Sequence, residues 1–156
     1  MRLRFIWTQT WCAATRFPGW RDGVEALFLL LALGGLAVTL GTFRLAGESP
    51  PIGGLEFAVL AFFIPALAEE LAFRGPLHPR APVWSLISLS AFIAWHPIQV
   101  WLGLPAAQPL FLEPVFLVMA GALGLACTIS RIRSNSLWPP VLIHWIAVLA
   151  WKALSG

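Results

Sequence analysis

The sequence predicts an all-α, polytopic membrane helix bundle of about five transmembrane helices with a cytoplasmic amino terminus. Three observations carry that prediction. Hydrophobic residues fill 59% of the 156 positions and charged residues 11%, for a mean hydropathy of +0.82, and a soluble domain exposing so much apolar surface would aggregate. The apolar residues form long continuous runs rather than an alternating pattern, which favours helices over a closed barrel. Basic residues, finally, fall on alternate sides of those runs very unequally. At about 20 apolar residues per crossing there is room for roughly five spans and little else, so 1–156 reads as a single integral membrane domain.

Residues 1–22 mix Arg2, Arg4, Arg16 and Arg21 with Trp7, Trp11, Phe17 and Trp20, the composition of a segment lying at headgroup level. The first span runs from Val24 to Phe43 with Glu25 at its mouth. It is longer than the core of a cleaved signal peptide. Arg44 to Pro51, with Gly47, Ser49 and two prolines, reads as a turn. The second run, Ile52 to about Phe73, opens a core region spanning about 52–154 and contains Pro65, which should kink it or loosen its hydrogen bonding. Pro76, Pro79 and Pro82 make Gly75 to Pro82 a loop that also holds His78 and Arg80. The third run begins near Val83 and passes through Ser85, Ser88 and Ser90 to His96, where Pro97 should stop or bend it. Gly103 to Pro109 is a turn, and Glu113 before Pro114 is a helix-start acid. The fourth run, Leu110 to about Ile129, carries Gly121 and Gly124 for close helix contact. Arg131, Arg133, Ser134 and Asn135 read as a loop. The last run, Leu137 to about Leu154, starts with Pro139 and Pro140 and includes His144.

On one side of these spans lie Arg2, Arg4, Arg16, Arg21, Arg74, Arg80, Arg131 and Arg133; on the other lie Arg44 and Lys152. That asymmetry orients the chain by the positive-inside rule. The net charge of +3 comes from scattered rather than clustered basic residues, so it reports topology and implies no nucleic-acid partner. Cys12 and Cys127 lack ligand-type spacing and read as unpaired. The tryptophans, Trp101, Trp138 and Trp151 among them, fall near span ends as interfacial anchors.

The chemistry concentrates in Ala68 to Gly75, where Glu69, Glu70 and Arg74 close an apolar run. An ionisable group in hydrocarbon costs roughly 2.5–3.5 kcal/mol on insertion scales, so three within six positions point to a functional site. On a helix Glu70 and Arg74 are i and i+4 and can pair, while Glu69 projects about 100° away. One carboxylate is held and one is available. With His96 on the third span and His144 on the fifth, these groups can activate water and hold a developing oxyanion, or they can ligate a divalent metal. Residue types alone leave both open.

Glu69-Glu70-Leu71-Ala72-Phe73-Arg74 fits Glu-Glu-x-x-x-Arg, Phe92 to His96 fits Phe-x-x-x-His, and Gly121 through Ser136-Leu137-Trp138 to His144 is similar to a third segment. In this order the motifs resemble the glutamic-type intramembrane endopeptidases, which include prenyl-protein proteases acting on Cys-a-a-X termini and bacterial relatives. The resemblance covers about residues 60–150. It implies that Glu69 acts with His96 to activate water, that Glu70 pairs with Arg74 to orient the site, and that His144 helps to stabilise the oxyanion, with no cofactor and no metal. It also implies a membrane-anchored protein or peptide substrate and a multi-pass location in the plasma membrane, with removal of a carboxyl-terminal tail in protein sorting as the favoured example. One position departs: where the family has Asn or another polar residue four places after the histidine, this chain has Val148. Asn135 and Ser88 are the candidates to replace that donor. Two further readings stand beside this one, a non-catalytic membrane scaffold or immunity protein and a metal-dependent hydrolase. Depth along the spans is a separate constraint. Helical rise puts Glu70 roughly 8 Å and His96 roughly 20 Å from the cytoplasmic boundary, so the site is expected to lie near mid-membrane with Arg74 drawn inward.

Overall fold

The computed structural model describes residues 2–42, 54–77, 82–105 and 107–155. Among them the regular structure is helical: α1 (Arg2–Thr15), α2 (Trp20–Leu40), α3 (Gly54–Ala61), a π-helical turn (Phe62–Leu67), α4 (Ala68–Phe73), α5 (Pro82–Trp101), a 3₁₀ turn (Pro109–Leu112), α6 (Pro114–Ser134) and α7 (Trp138–Ser155). The architecture is the all-α membrane bundle that the composition requires. The expected turn from Arg44 to Pro51, and His78 and Arg80, lie outside the described residues.

Three helices, α2, α5 and α6, are long and apolar enough to cross a membrane unaided, and Trp138–Leu154 is a shorter apolar helix. The remaining span is continuous over 54–73 but is broken internally by the π-helical turn around Pro65. Proline has no N–H for the i−4 carbonyl and clashes with it, and a widened turn absorbs both faults. The turn hands over to α4 with the Ala68 N–H bonded to the Phe63 carbonyl, five residues back. That extra residue rotates everything downstream, and Glu69 and Glu70 follow at once.

Most other boundaries have local causes. The Gly19 N–H donates to Asp22 Oδ2 at 2.8 Å to start α2, and Gly41 ends it in the left-handed region at φ 64°. Pro114 and the prolines of α7 occupy first turns, where no N–H is needed. Pro97 does not end α5, which continues to Trp101. The fourth span also outruns its expected limit: α6 reaches Ser134, and Asn135 at φ 53° terminates it. Arg131 and Arg133, expected in a loop, therefore sit in the last turn of α6.

The polar–apolar distribution is inverted relative to a soluble protein. Leu31, Val38, Leu86, Ile87 and Val118 are exposed on the outside, while Glu70, Arg74, Arg131 and His144 are buried within. Leu33, Ala126, Cys127 and Ile143 form an apolar core between α2, α6 and α7. Both cysteines are free, Cys12 exposed and Cys127 buried.

At one end of the bundle α1 is tied to the segments that carry the basic residues. The Leu137 N–H donates to the Ala13 carbonyl at 3.0 Å, Ser136 Oγ to the Arg16 carbonyl at 2.6 Å, and Trp138 Nε1 to the Ala14 carbonyl at 3.0 Å. Trp138 thus ties the start of α7 to α1. Trp7, Trp11 and Trp20 remain exposed, as headgroup-level aromatics would be.

Candidate active site

The short helix α4 delivers both carboxylates into the bundle. Glu70 is fully buried, and its Oε1 accepts from Arg74 Nη1 at 3.1 Å and from His144 Nδ1 at 3.0 Å. Arg74, one turn on and also fully buried, donates Nη2 to the Gly124 carbonyl at 3.1 Å and lies 4.0 Å above the Phe92 ring. A guanidinium stripped of water needs such compensation from a carboxylate, a carbonyl and an aromatic face. The expected inward draw of Arg74 is met by these three partners.

Glu69 differs. Its side chain is 14% exposed, its Oε2 stands 3.9 Å from His144 Nε2, and that oxygen has no hydrogen-bond partner among the described residues. His144 therefore lies between the two carboxylates, with Nδ1 committed to Glu70 and Nε2 turned toward Glu69. The pairing of Glu70 with Arg74 is the one that i,i+4 spacing allows.

His96 is placed otherwise than its expected partnership with Glu69 suggests. Among the described residues no hydrogen bond or ion pair joins the two; the His96 Nδ1 turns back to the Phe92 carbonyl at 3.0 Å. Its ring packs edge-on against Phe92, Phe111 and Phe116 at 5.1–5.3 Å between centroids. Phe92 also meets His144 edge-on at 5.8 Å, so the two imidazoles share one aromatic wall. His144 sits beside Glu69 because α7 packs on the π-helical turn preceding it.

Gly124 explains how close these helices come. A Cβ there would lie 2.8 Å from Leu89 Cδ1, 2.8 Å from Phe92 Cδ1 and 2.9 Å from Arg74 Nη2. Gly124→Ala is expected to cost about 1–3 kcal/mol through overpacking, read as a lowered thermal midpoint in detergent. Gly121→Ala meets only Ile93 at 3.4 Å and should melt close to the unsubstituted chain.

Sequence reasoning missed one residue. Arg131, 1% exposed, donates Nε to the Arg74 carbonyl and Nη2 to the Leu77 carbonyl, both at 3.1 Å, and Nη1 to Asn135 Oδ1 at 3.0 Å. It clamps the turn that ends α4 and so fixes the backbone bearing Arg74. Only the length of α6 could have signalled this, because a loop arginine would face water. Arg131→Lys keeps the charge but cannot span three acceptors, and leaving one carbonyl unpaired should destabilise by about 1–3 kcal/mol. Chemical or thermal unfolding of the purified chain measures it.

Val148 remains apolar, and neither candidate replacement is a free donor at the carboxylates. Ser88 spends its hydroxyl on the Phe73 carbonyl. Asn135 caps α6 with its oxygen taken by Arg131.

Comparison with known proteins was made against this geometry. The family model described as type II CAAX prenyl endopeptidase, Rce1-like, matches residues 51–150. That interval contains α3 through most of α7, and with them Glu69, Glu70, Arg74, His96, Arg131 and His144. No curated protein and no solved structure matches the chain.

Proposed function

The chain belongs to the Rce1-like family of type II CAAX prenyl endopeptidases, and from that premise we propose that it hydrolyses a peptide bond in a membrane-associated protein by a glutamic mechanism. The observation that carries this reading is the division of labour between adjacent carboxylates. Glu70 is ion-paired with Arg74 and hydrogen-bonded to His144, while Glu69 Oε2 makes no hydrogen bond among the described residues and faces His144 Nε2 at 3.9 Å. A general base needs that freedom. Glu69 takes a proton from water as the hydroxide adds to the scissile carbonyl, then passes that proton to the amide nitrogen of the tetrahedral adduct, so that the C–N bond breaks and the acid and amine leave; Glu70 meanwhile fixes the His144 ring through Nδ1, with Nε2 turned toward Glu69. His96 lines the site against the same Phe92 ring that meets His144.

A metal-independent reaction accords with Arg74: a divalent ion on Glu70 would sit beside a buried guanidinium and be repelled by it. The core at about 52–154 is the working unit, with 1–22 lying along the cytoplasmic surface of the plasma membrane. The substrate class we favour is a membrane-anchored protein bearing a carboxyl-terminal hydrophobic tail. Val148 supports a second reading, a non-catalytic scaffold or immunity protein, because loss of one oxyanion donor typically lowers turnover by about 10²–10³.

Terminal-peptide mass spectrometry of membranes from cells carrying the intact chain, or an equally expressed Glu69→Gln form, separates them. Precursors that accumulate uncut only with Glu69→Gln establish proteolysis and name the substrate. Identical termini, with both forms stably inserted, favour the scaffold.

A further inference from the structure

One face of α5 runs against α4 in antiparallel register. Ser88 Oγ donates to the Phe73 carbonyl. A turn further on, Phe92 packs edge-on against the Phe73 ring at 5.5 Å and lies 4.0 Å from the Arg74 guanidinium. Another turn along, the Trp95 side chain meets the Glu69 carboxylate. Steps of four and three residues forward on α5 thus answer a step of four back on α4, as helical periodicity requires of one continuous face. The neighbouring His96 projects about 100° round and packs on Phe111 and Phe116. Trp95 is half-buried, so its indole borders the site without being sealed into the core.

Helix α5 thereby brings an indole N–H beside the carboxylate assigned to water activation. Glu69 Oε2 makes no hydrogen bond among the described residues, so the indole is not committed to that oxygen. Hydrolysis also needs a donor for the oxygen of the scissile carbonyl. Glu70 Oε1 accepts from His144 Nδ1, so a neutral His144 carries a lone pair at Nε2 and has no proton to give there. Arg74 spends Nη1 on Glu70 and Nη2 on the Gly124 carbonyl, and Val148, one turn after His144, offers no donor. An indole N–H donates and cannot accept. Beside Glu69 it therefore does not compete for the proton that the carboxylate must take and pass on.

Resting on the hydrolytic reading above, we propose that Trp95 is a further catalytic residue, its Nε1–H donating to the oxyanion that forms as hydroxide adds to the scissile carbonyl. The C=O π electrons move onto oxygen, where the indole meets the developing charge; they return when the C–N bond breaks. No proton leaves the indole. A donor held in place before charge develops favours the transition state over the substrate carbonyl, so its loss falls on kcat.

Cleavage of the precursor found in cells, by the purified full-length chain in liposomes, tests this. The intact chain is compared with Glu69→Gln, with Trp95→Phe, and with a chain carrying the benzothiophene isostere of tryptophan at position 95, where sulfur replaces the N–H and the shape is kept. Both position-95 variants should lower the plateau of the kcat–pH profile about 10²–10³-fold, with KM nearly unchanged and unfolding midpoints matching the intact chain. The isostere decides the matter if Trp95→Phe fails to fold. An isostere with the intact plateau would overturn the proposal. So would a loss lying wholly in KM, or a change confined to the acid limb of the profile, because the indole would then act on Glu69 alone. Cutting by Glu69→Gln at the intact rate would overturn the hydrolytic reading and this proposal with it; a silent Glu69→Gln beside a fully active isostere overturns only the role of Trp95.

Discussion

Arg74→Met is expected to be the most damaging single change at the site, lowering stability by about 3–5 kcal/mol, the usual cost of removing one partner from a buried ion pair. The cause lies in what remains. Glu70 would keep the His144 hydrogen bond but lose its countercharge, its second oxygen already has no hydrogen bond among the described residues, and the Gly124 carbonyl would lose the guanidinium. The double substitution Arg74→Met with Glu70→Leu should recover much of that loss, because it removes the stranded charge as well. Thermal unfolding in detergent of the two single variants and the double one closes the cycle. Recovery of stability without recovery of processing is the expected pattern, since the pair also holds His144 in place.

Glu69→Gln should do the reverse. Its Oε2 makes no hydrogen bond among the described residues, so an isosteric amide removes little from the fold. Loss of a general base lowers turnover by about 10²–10⁴. Unfolding midpoints of the intact and Glu69→Gln chains should therefore agree while their cleavage rates diverge. A variant that melts early would instead assign Glu69 to the packing of α4.

These opposite expectations for neighbouring glutamates show how much was legible in the chain. Helical spacing alone distinguished Glu70, one turn from Arg74, from Glu69. The bundle followed from hydropathy and the ion pair from i,i+4 geometry, both properties of single elements. The positive-inside count grouped the amino terminus, the stretch after α4 and the stretch before α7, and hydrogen bonds from Leu137, Ser136 and Trp138 to α1, and from Arg131 to Leu77, bring those segments to one end.

Relations between elements were harder to read. The extra residue in the π-helical turn sets which way α4 faces, and Pro65 announces a fault without its outcome. His144 adjoins Glu69 because of how α7 packs on that turn, which no spacing within one helix encodes. Arg131 was hidden for a related reason: Asn135 in the left-handed conformation, not the arginines, ends α6, and a residue expected in water lies buried against the turn it clamps.

The claim that a free carboxylate, without a metal, performs hydrolysis is tested most directly on the precursor found in cells, presented to the purified chain in liposomes containing excess chelator. The account predicts cleavage by the intact chain at an undiminished rate and none above background by Glu69→Gln. Cleavage that vanishes with chelator and returns with zinc, or cutting by Glu69→Gln at the intact rate, would contradict it.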